Sequence, residues 1–181
     1  MRGDGDDELM ARYARGDIGA FEQLYDRYES PLYEFCVRQL ADRDDAADAF
    51  QEVVRRVVDA RHEYEPRGTF AGWLFTIARR VCIDRLREAA RTSPLETVRD
   101  PGGPRHVTGA SHEHRLLFRD ELQRLLALLP PEQREVLLLS KYSGFTYGEI
   151  ARMVGGTEAG ARQKAYRALK TLRAHLASER P

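Results

Sequence analysis

The chain has 181 residues, with 29 basic and 29 acidic side chains, 42% hydrophobic residues and a mean hydropathy of −0.57. This excludes fibrous and disordered classes and leaves room for two small domains or one medium one, and no apolar run approaches the roughly 20 residues of a membrane span. The zero net charge conceals a gradient: residues 1–60 carry −7, residues 61–91 carry +3, residues 92–154 balance and residues 155–181 carry +4. An acidic front suits a protein partner, and two separated basic stretches suit nucleic acid.

The start, MRGDGDDELM, is acidic and lacks a signal peptide's hydrophobic region, which predicts a cytoplasmic protein without membrane insertion. Residues 1–7 read as disordered. From about Asp17 to Leu40 an apolar stripe of Phe21, Leu24, Tyr25, Tyr28, Leu32 and Phe35 predicts a helix, with Pro31 expected to kink or divide it. A further helix from about Asp45 to Arg61 turns Ala46, Ala49, Phe50, Val53, Val54 and Val57 inward. Its outward stripe, Asp48, Gln51, Glu52 and Arg55, is either a solvated face or a surface for another helix, and spacing alone favours the solvated face.

Pro66 and Gly68 then force a loop in HEYEPRGT. The helix FAGWLFTIARRVCIDRLREAAR follows, burying Phe70, Trp73, Leu74, Ile77, Ala78 and Val81 and leaving Thr76, Arg79, Arg80, Asp84 and Arg87 largely outside. Cys36 and Cys82, the only cysteines, both fall in apolar helical patterns and read as core in a reducing compartment. Residues 92–111 are dense in Pro, Gly, Ser and Thr and read as a flexible interdomain linker. His106, His112 and His114 do not make a metal site, because residues two apart do not share a helix face. Leucine-rich helices are expected over Arg115–Leu129 and after Pro130-Pro131.

The last segment is the most informative. Thr146 and Glu149 have capping-box spacing, Phe145 and Ile150 can close a hydrophobic staple, and Gly155-Gly156 end that helix near Val154. Thr157 can cap the next helix, whose Ala161, Ala165, Ala168, Leu169 and Leu172 form a narrow apolar face. The other face carries Arg162, Gln163, Tyr166, Arg167 and Lys170, side chains that read base edges and bind phosphates. This is a helix-turn-helix.

Through DAADAFQEVVRRV and FAGWLFTIARRVCIDRLR in one half, and LPPEQREVLLL and YGEIARMVGGTEAGARQKAYRALKTLR in the other, the sequence resembles the extracytoplasmic-function (ECF) sigma factors of bacterial RNA polymerase. The resemblance implies an all-α fold of two small helical domains, 8–91 (region 2) and 112–178 (region 4), joined by the linker 92–111, with the helix-turn-helix in the second. It implies that Asp48, Gln51, Glu52 and Arg55 bind the clamp helices of the polymerase's largest subunit, reversing the preference that spacing gave. It implies that the loop Glu63 to Thr69, with Glu63, Tyr64 and Arg67, and the helix carrying Thr76, Arg79, Arg80 and Arg87 recognise and melt the minus-ten element. Arg162, Gln163, Tyr166 and Arg167 would read the minus-thirty-five element, with Lys164 and Lys170 nearer phosphate. An anti-sigma partner is implied, as the family usually has one. Arg80, Val57-Val58 and Gly160-Ala161 depart from the residues common in the family.

The alternative is a helix-turn-helix repressor or activator that acts without core polymerase. An enzyme is not expected: the sequence has no nucleophile–base or paired-carboxylate constellation and no phosphate loop, and no cofactor is implied.

Overall fold

A computed structural model describes residues 5–65, 68–92 and 121–179. Among them there is no strand, and the helices form two groups that pack on each other. Residues 93–111 of the expected linker with His106, the adjoining His112 and His114, Arg67 and the first part of the helix expected from Arg115 lie outside the described residues.

The first group starts earlier than composition suggests. Helix α1 spans Asp6–Ala14, so Asp6 and Asp7 form its first turn, where carboxylates suit the unpaired N–H groups. Asp6 is buried, accepting from the Tyr28 hydroxyl at 2.5 Å and pairing with Arg27, which explains why an acidic start is folded. Asp17 caps α2, Ile18–Leu40, by accepting from the Ala20 amide. Against expectation, α2 runs unbroken through Pro31. Arg27, Ser30 and Pro31 are all exposed, so the carbonyl deprived of its donor faces water.

Asp42 accepts from the Asp44 and Asp45 amides, both at 2.9 Å, and starts α3, Arg43–Asp59, which tightens into a 3-10 turn at Ala60–His62. Helix α4, Phe70–Thr92, completes the group. Its core holds most of the stripes expected, with Leu24, Leu32, Phe35, Ala46, Ala49, Phe50, Val53, Val57, Phe70, Leu74, Ala78 and Val81 buried, whereas Phe21, Tyr25, Tyr28, Val54, Trp73 and Ile77 are only partly buried against it and Leu9, Met10, Tyr13 and Phe75 join it. Cys36 and Cys82 are buried in the same core. Hydrogen bonding to Cys36, together with burial, pushes the Cys82 thiol well up, as suits packing rather than redox chemistry.

The second group comprises α5 (residues 121–127), α6 (Pro131–Lys141), α7 (Tyr147–Val154) and α8 (Glu158–Ser178). The capping box forms: the Glu149 amide donates to the Thr146 hydroxyl oxygen, and the Thr146 amide donates to the Glu149 carboxylate at 2.7 Å. Gly155 and Gly156 take φ of 79° and 115° with open space at the Cβ positions, so backbone conformation alone selects glycine there. Thr157 caps α8 through the Gly160 amide, and a Cβ on Gly160 would sit 3.2 Å from that hydroxyl, a local reason for the glycine. Thr146→Ala is expected to cost about 1 kcal/mol. Urea titration would read this as a lower midpoint, and an unchanged midpoint would mean that water serves this helix start equally well.

Residues Glu135 to Leu139 of α6 are all buried, and five consecutive residues cannot share one helix face. The helix is enclosed because α7 and α8 cover one side and α2 another. Arg134 donates to the carbonyls of Leu126 (2.9 Å) and Leu129 (3.4 Å) in its own group and of Gln39 (3.1 Å) in the first. Gln123 donates to the Val37 carbonyl at 2.6 Å. The Arg38 guanidinium lies 4.3 Å from the centre of the Tyr142 ring, and Phe75 makes edge contacts at 5.4 Å with Phe35 on one side and Phe145 on the other.

Candidate polymerase and nucleic-acid interfaces

Three faces collect the candidate residues. On α3, Asp48, Gln51, Glu52 and Arg55 line one shallow depression together with Arg85 of α4. Glu52 accepts from Arg55 at 2.8 and 2.9 Å and from Arg56 at 2.7 Å, which lowers its carboxyl to about 2. Its charge therefore persists through mildly acidic conditions. Arg55 also bonds Asp59 at 2.7 Å, and Arg85 stands 3.7 Å from Asp48 and 3.8 Å from Asp45. The result is an ordered array of alternating charge, with Asp48, Gln51 and Arg55 exposed, that another helix could meet without rearranging it. Sequence reasoning missed Arg85, whose signal was a base on α4 facing the acidic start of α3.

The second face is the loop after α3 together with α4. Glu63 is exposed, whereas Tyr64 is half-buried: its ring packs edge-on against Trp73 at 4.9 Å and Phe70 at 6.1 Å, and its hydroxyl donates to Asp7. Burial and then the bond to Asp7 raise the phenol pKa, so it stays neutral and donates. Thr76 donates its hydroxyl to the Gly72 carbonyl at 2.7 Å, and Arg80 and Arg87 project into solvent. Arg79 does not. Its Nε lies 2.5 Å from Glu135 Oε1 on α6, an ion pair without linear hydrogen-bond geometry, and the two side chains are 20% and 8% exposed. Burial pushes the Glu135 carboxyl up although Arg79 opposes the shift.

The third face is α8. Ala161, Ala165 and Ala168 are buried, and Arg162, Gln163, Tyr166, Arg167 and Lys170 are exposed on the other side. Arg162 bonds Glu158 at 2.7 Å, with its guanidinium 5.8 Å from the Tyr147 ring centre. Lys164 turns toward α6 and pairs with Glu132 at 2.6 Å, lowering that carboxyl. One capped helix thus presents cationic, amide and aromatic groups from its first turns, the set a major-groove reader needs.

Two segments match known families: residues 24–92 match Sigma-70 region 2, and residues 119–172 match Sigma-70, region 4. Across 165 residues the chain is 31% identical to the ECF RNA polymerase sigma factor SigX of Bacillus subtilis (strain 168), covering 86% of this chain and 83% of that one. The chain belongs to the ECF sigma factors. It is also 30% identical to the RNA polymerase sigma factor CarQ of Myxococcus xanthus, with 91% and 93% covered. Its fold matches that of CnrH, solved in complex with the cytosolic domain of CnrY, at a TM-score of 0.75 and 25% identity over 97% of this chain and 99% of that one. For this sigma factor, α2 to α4 correspond to region 2 and α5 to α8 to region 4. The reading as a repressor or activator independent of polymerase gives way to a factor that binds core polymerase and recognises promoters. No helix among the described residues is long and apolar enough to cross a membrane.

Proposed function

We propose that this ECF sigma factor divides promoter recognition between its two helical groups. The first, bounded near residues 8–91, docks on the clamp helices of the largest polymerase subunit through Asp48, Gln51, Glu52 and Arg55. It engages the minus-ten element through the loop from Glu63, with Tyr64 and Arg67, and through Thr76, Arg79, Arg80 and Arg87. The second, near residues 112–178, reads the minus-thirty-five element with Arg162, Gln163, Tyr166 and Arg167, while Lys170 and Lys164 serve phosphates. Residues 92–111 link the two.

The sidedness of α8 carries this reading: small residues pack inward, while five base- or phosphate-binding side chains are exposed on the opposite face, with Arg162 held by Glu158. Duplex opening without ATP requires preferential binding of the melted form, and exposed Arg80 and Arg87 offer a cationic track for its phosphates. The factor acts in the cytoplasm and supplies no catalysis of its own. A sequestering anti-sigma protein is its expected regulator, in line with the solved complex of CnrH with a cytosolic partner domain. The test is reconstitution: purified core polymerase with this chain should give run-off transcripts from promoters selected out of random DNA, and neither component alone should. Sequence-specific duplex binding by the chain alone, without stimulation of core, would overturn the proposal.

A further inference from the structure

Tyr64 is held on three sides. Its ring meets Trp73 at 4.9 Å and 70° and Phe70 at 6.1 Å and 66°, two steeply inclined walls from the first turn of α4. Its hydroxyl donates to Asp7. Asp7 is placed firmly in turn, because its neighbour Asp6 accepts from the Tyr28 hydroxyl at 2.5 Å and pairs with Arg27 of α2. Even so, Tyr64 keeps part of its surface open, between exposed Glu63 and exposed Glu65.

We infer that Asp7 is a positioning residue for minus-ten recognition: it fixes the Tyr64 hydroxyl as a hydrogen-bond acceptor, which selects a base carrying an exocyclic amino group, adenine or cytosine, where the opened strand meets Tyr64. The inference rests on the proposed contact of Tyr64 with the minus-ten element. A phenol has one proton to donate and two lone pairs, whereas a carboxylate only accepts. Asp7 therefore takes the proton, in a charge-assisted bond stronger than one to a neutral partner, and the lone pairs are what remains for a ligand. Burial and the bond to Asp7 both raise the phenol pKa, so the proton stays in place near neutrality. The amino groups of adenine and cytosine donate to such an oxygen, while the carbonyls of guanine and thymine at the corresponding positions meet it lone pair to lone pair. A base extruded from the stack shows this edge to the protein. Without Asp7 the hydroxyl turns freely and serves either kind.

Base congeners test this on core polymerase carrying the full chain, bound to fork templates whose minus-ten strand is already single. Each adenine of that strand is replaced in turn by hypoxanthine and each cytosine by uracil, which exchanges an amino group for a carbonyl. At one position the amino base should bind about tenfold better. Tyr64→Phe, which keeps the ring, and Asp7→Ala, which frees the hydroxyl, should each reduce that preference to about twofold or less, and the double variant should go no further. Preferences at the other positions should not move. Asp7→Ala with the preference intact, or with both congeners weakened equally as a merely structural role requires, overturns the positioning role of Asp7. A preference lost in Tyr64→Ala but kept in Tyr64→Phe gives the contact to the ring and overturns the assignment of the hydroxyl. Tyr64→Ala without effect at any position removes Tyr64 from the minus-ten face and overturns the reading on which the inference rests.

Discussion

Replacing Asp48→Arg and Glu52→Arg together is expected to abolish association with core polymerase while the fold survives. Glu52 is the acceptor that organises Arg55 and Arg56, and Asp48 is the carboxylate facing Arg85. After reversal the same patch would hold five arginines, with only Asp45 and Asp59 left at its margins, a predominantly positive field in place of an alternating one. Like-charge juxtaposition at an interface costs several kcal/mol, enough for a loss of about hundredfold or more in affinity. Neither side chain belongs to the buried stripe of α3, so circular dichroism and the thermal midpoint should change little. Undiminished recovery of core in a pull-down would remove the basis for assigning this face.

The second large effect separates the two DNA contacts. Arg162→Ala should cost about 1 to 3 kcal/mol and relax preference at one or two base pairs of the upstream element, because a side chain at the head of α8 reaches base edges directly. It should leave the melted region unchanged. Arg80→Ala with Arg87→Ala should behave differently: closed-complex formation stays nearly intact, open complex is reduced, and a pre-melted template partly rescues transcription. Both arginines are exposed, so their loss leaves packing untouched. Run-off transcription and permanganate footprinting on duplex and pre-melted templates would distinguish the two. Identical defects in both variants, or none at either step, would count against two separate sites.

The helix-turn-helix was legible because its rules are local. Thr146 and Glu149 are three residues apart, Gly155-Gly156 permit the positive φ that the turn needs, and the alanines of α8 repeat at helical spacing. The limits of local rules explain the departures at Asp6 and Pro31. The Gly- and Asp-rich start looked unable to fold because composition cannot reveal that Tyr28 and Arg27 wait for Asp6, and Pro31 looked like a break because its solvent-facing position was unknown. The occupation of Arg79 was least legible, since Glu135 stands 56 residues away across a segment without periodic pattern. Its one trace was EVLLL, a run too continuously buried for a helix with a single covered face.

The bond between Asp7 and Tyr64 spans 57 positions of the chain and joins the first turn of α1 to the start of the loop after α3. Asp6 fixes the same turn to α2 through Arg27 and Tyr28. The beginning of the loop therefore has no independent local stability, because releasing Tyr64 breaks a link that α1 also uses. Amide exchange at residues 63–65 should follow the slow detachment of α1 and quicken together with residues 6–14 when Asp7 is replaced by Ala, as members of one cooperative unfolding unit do.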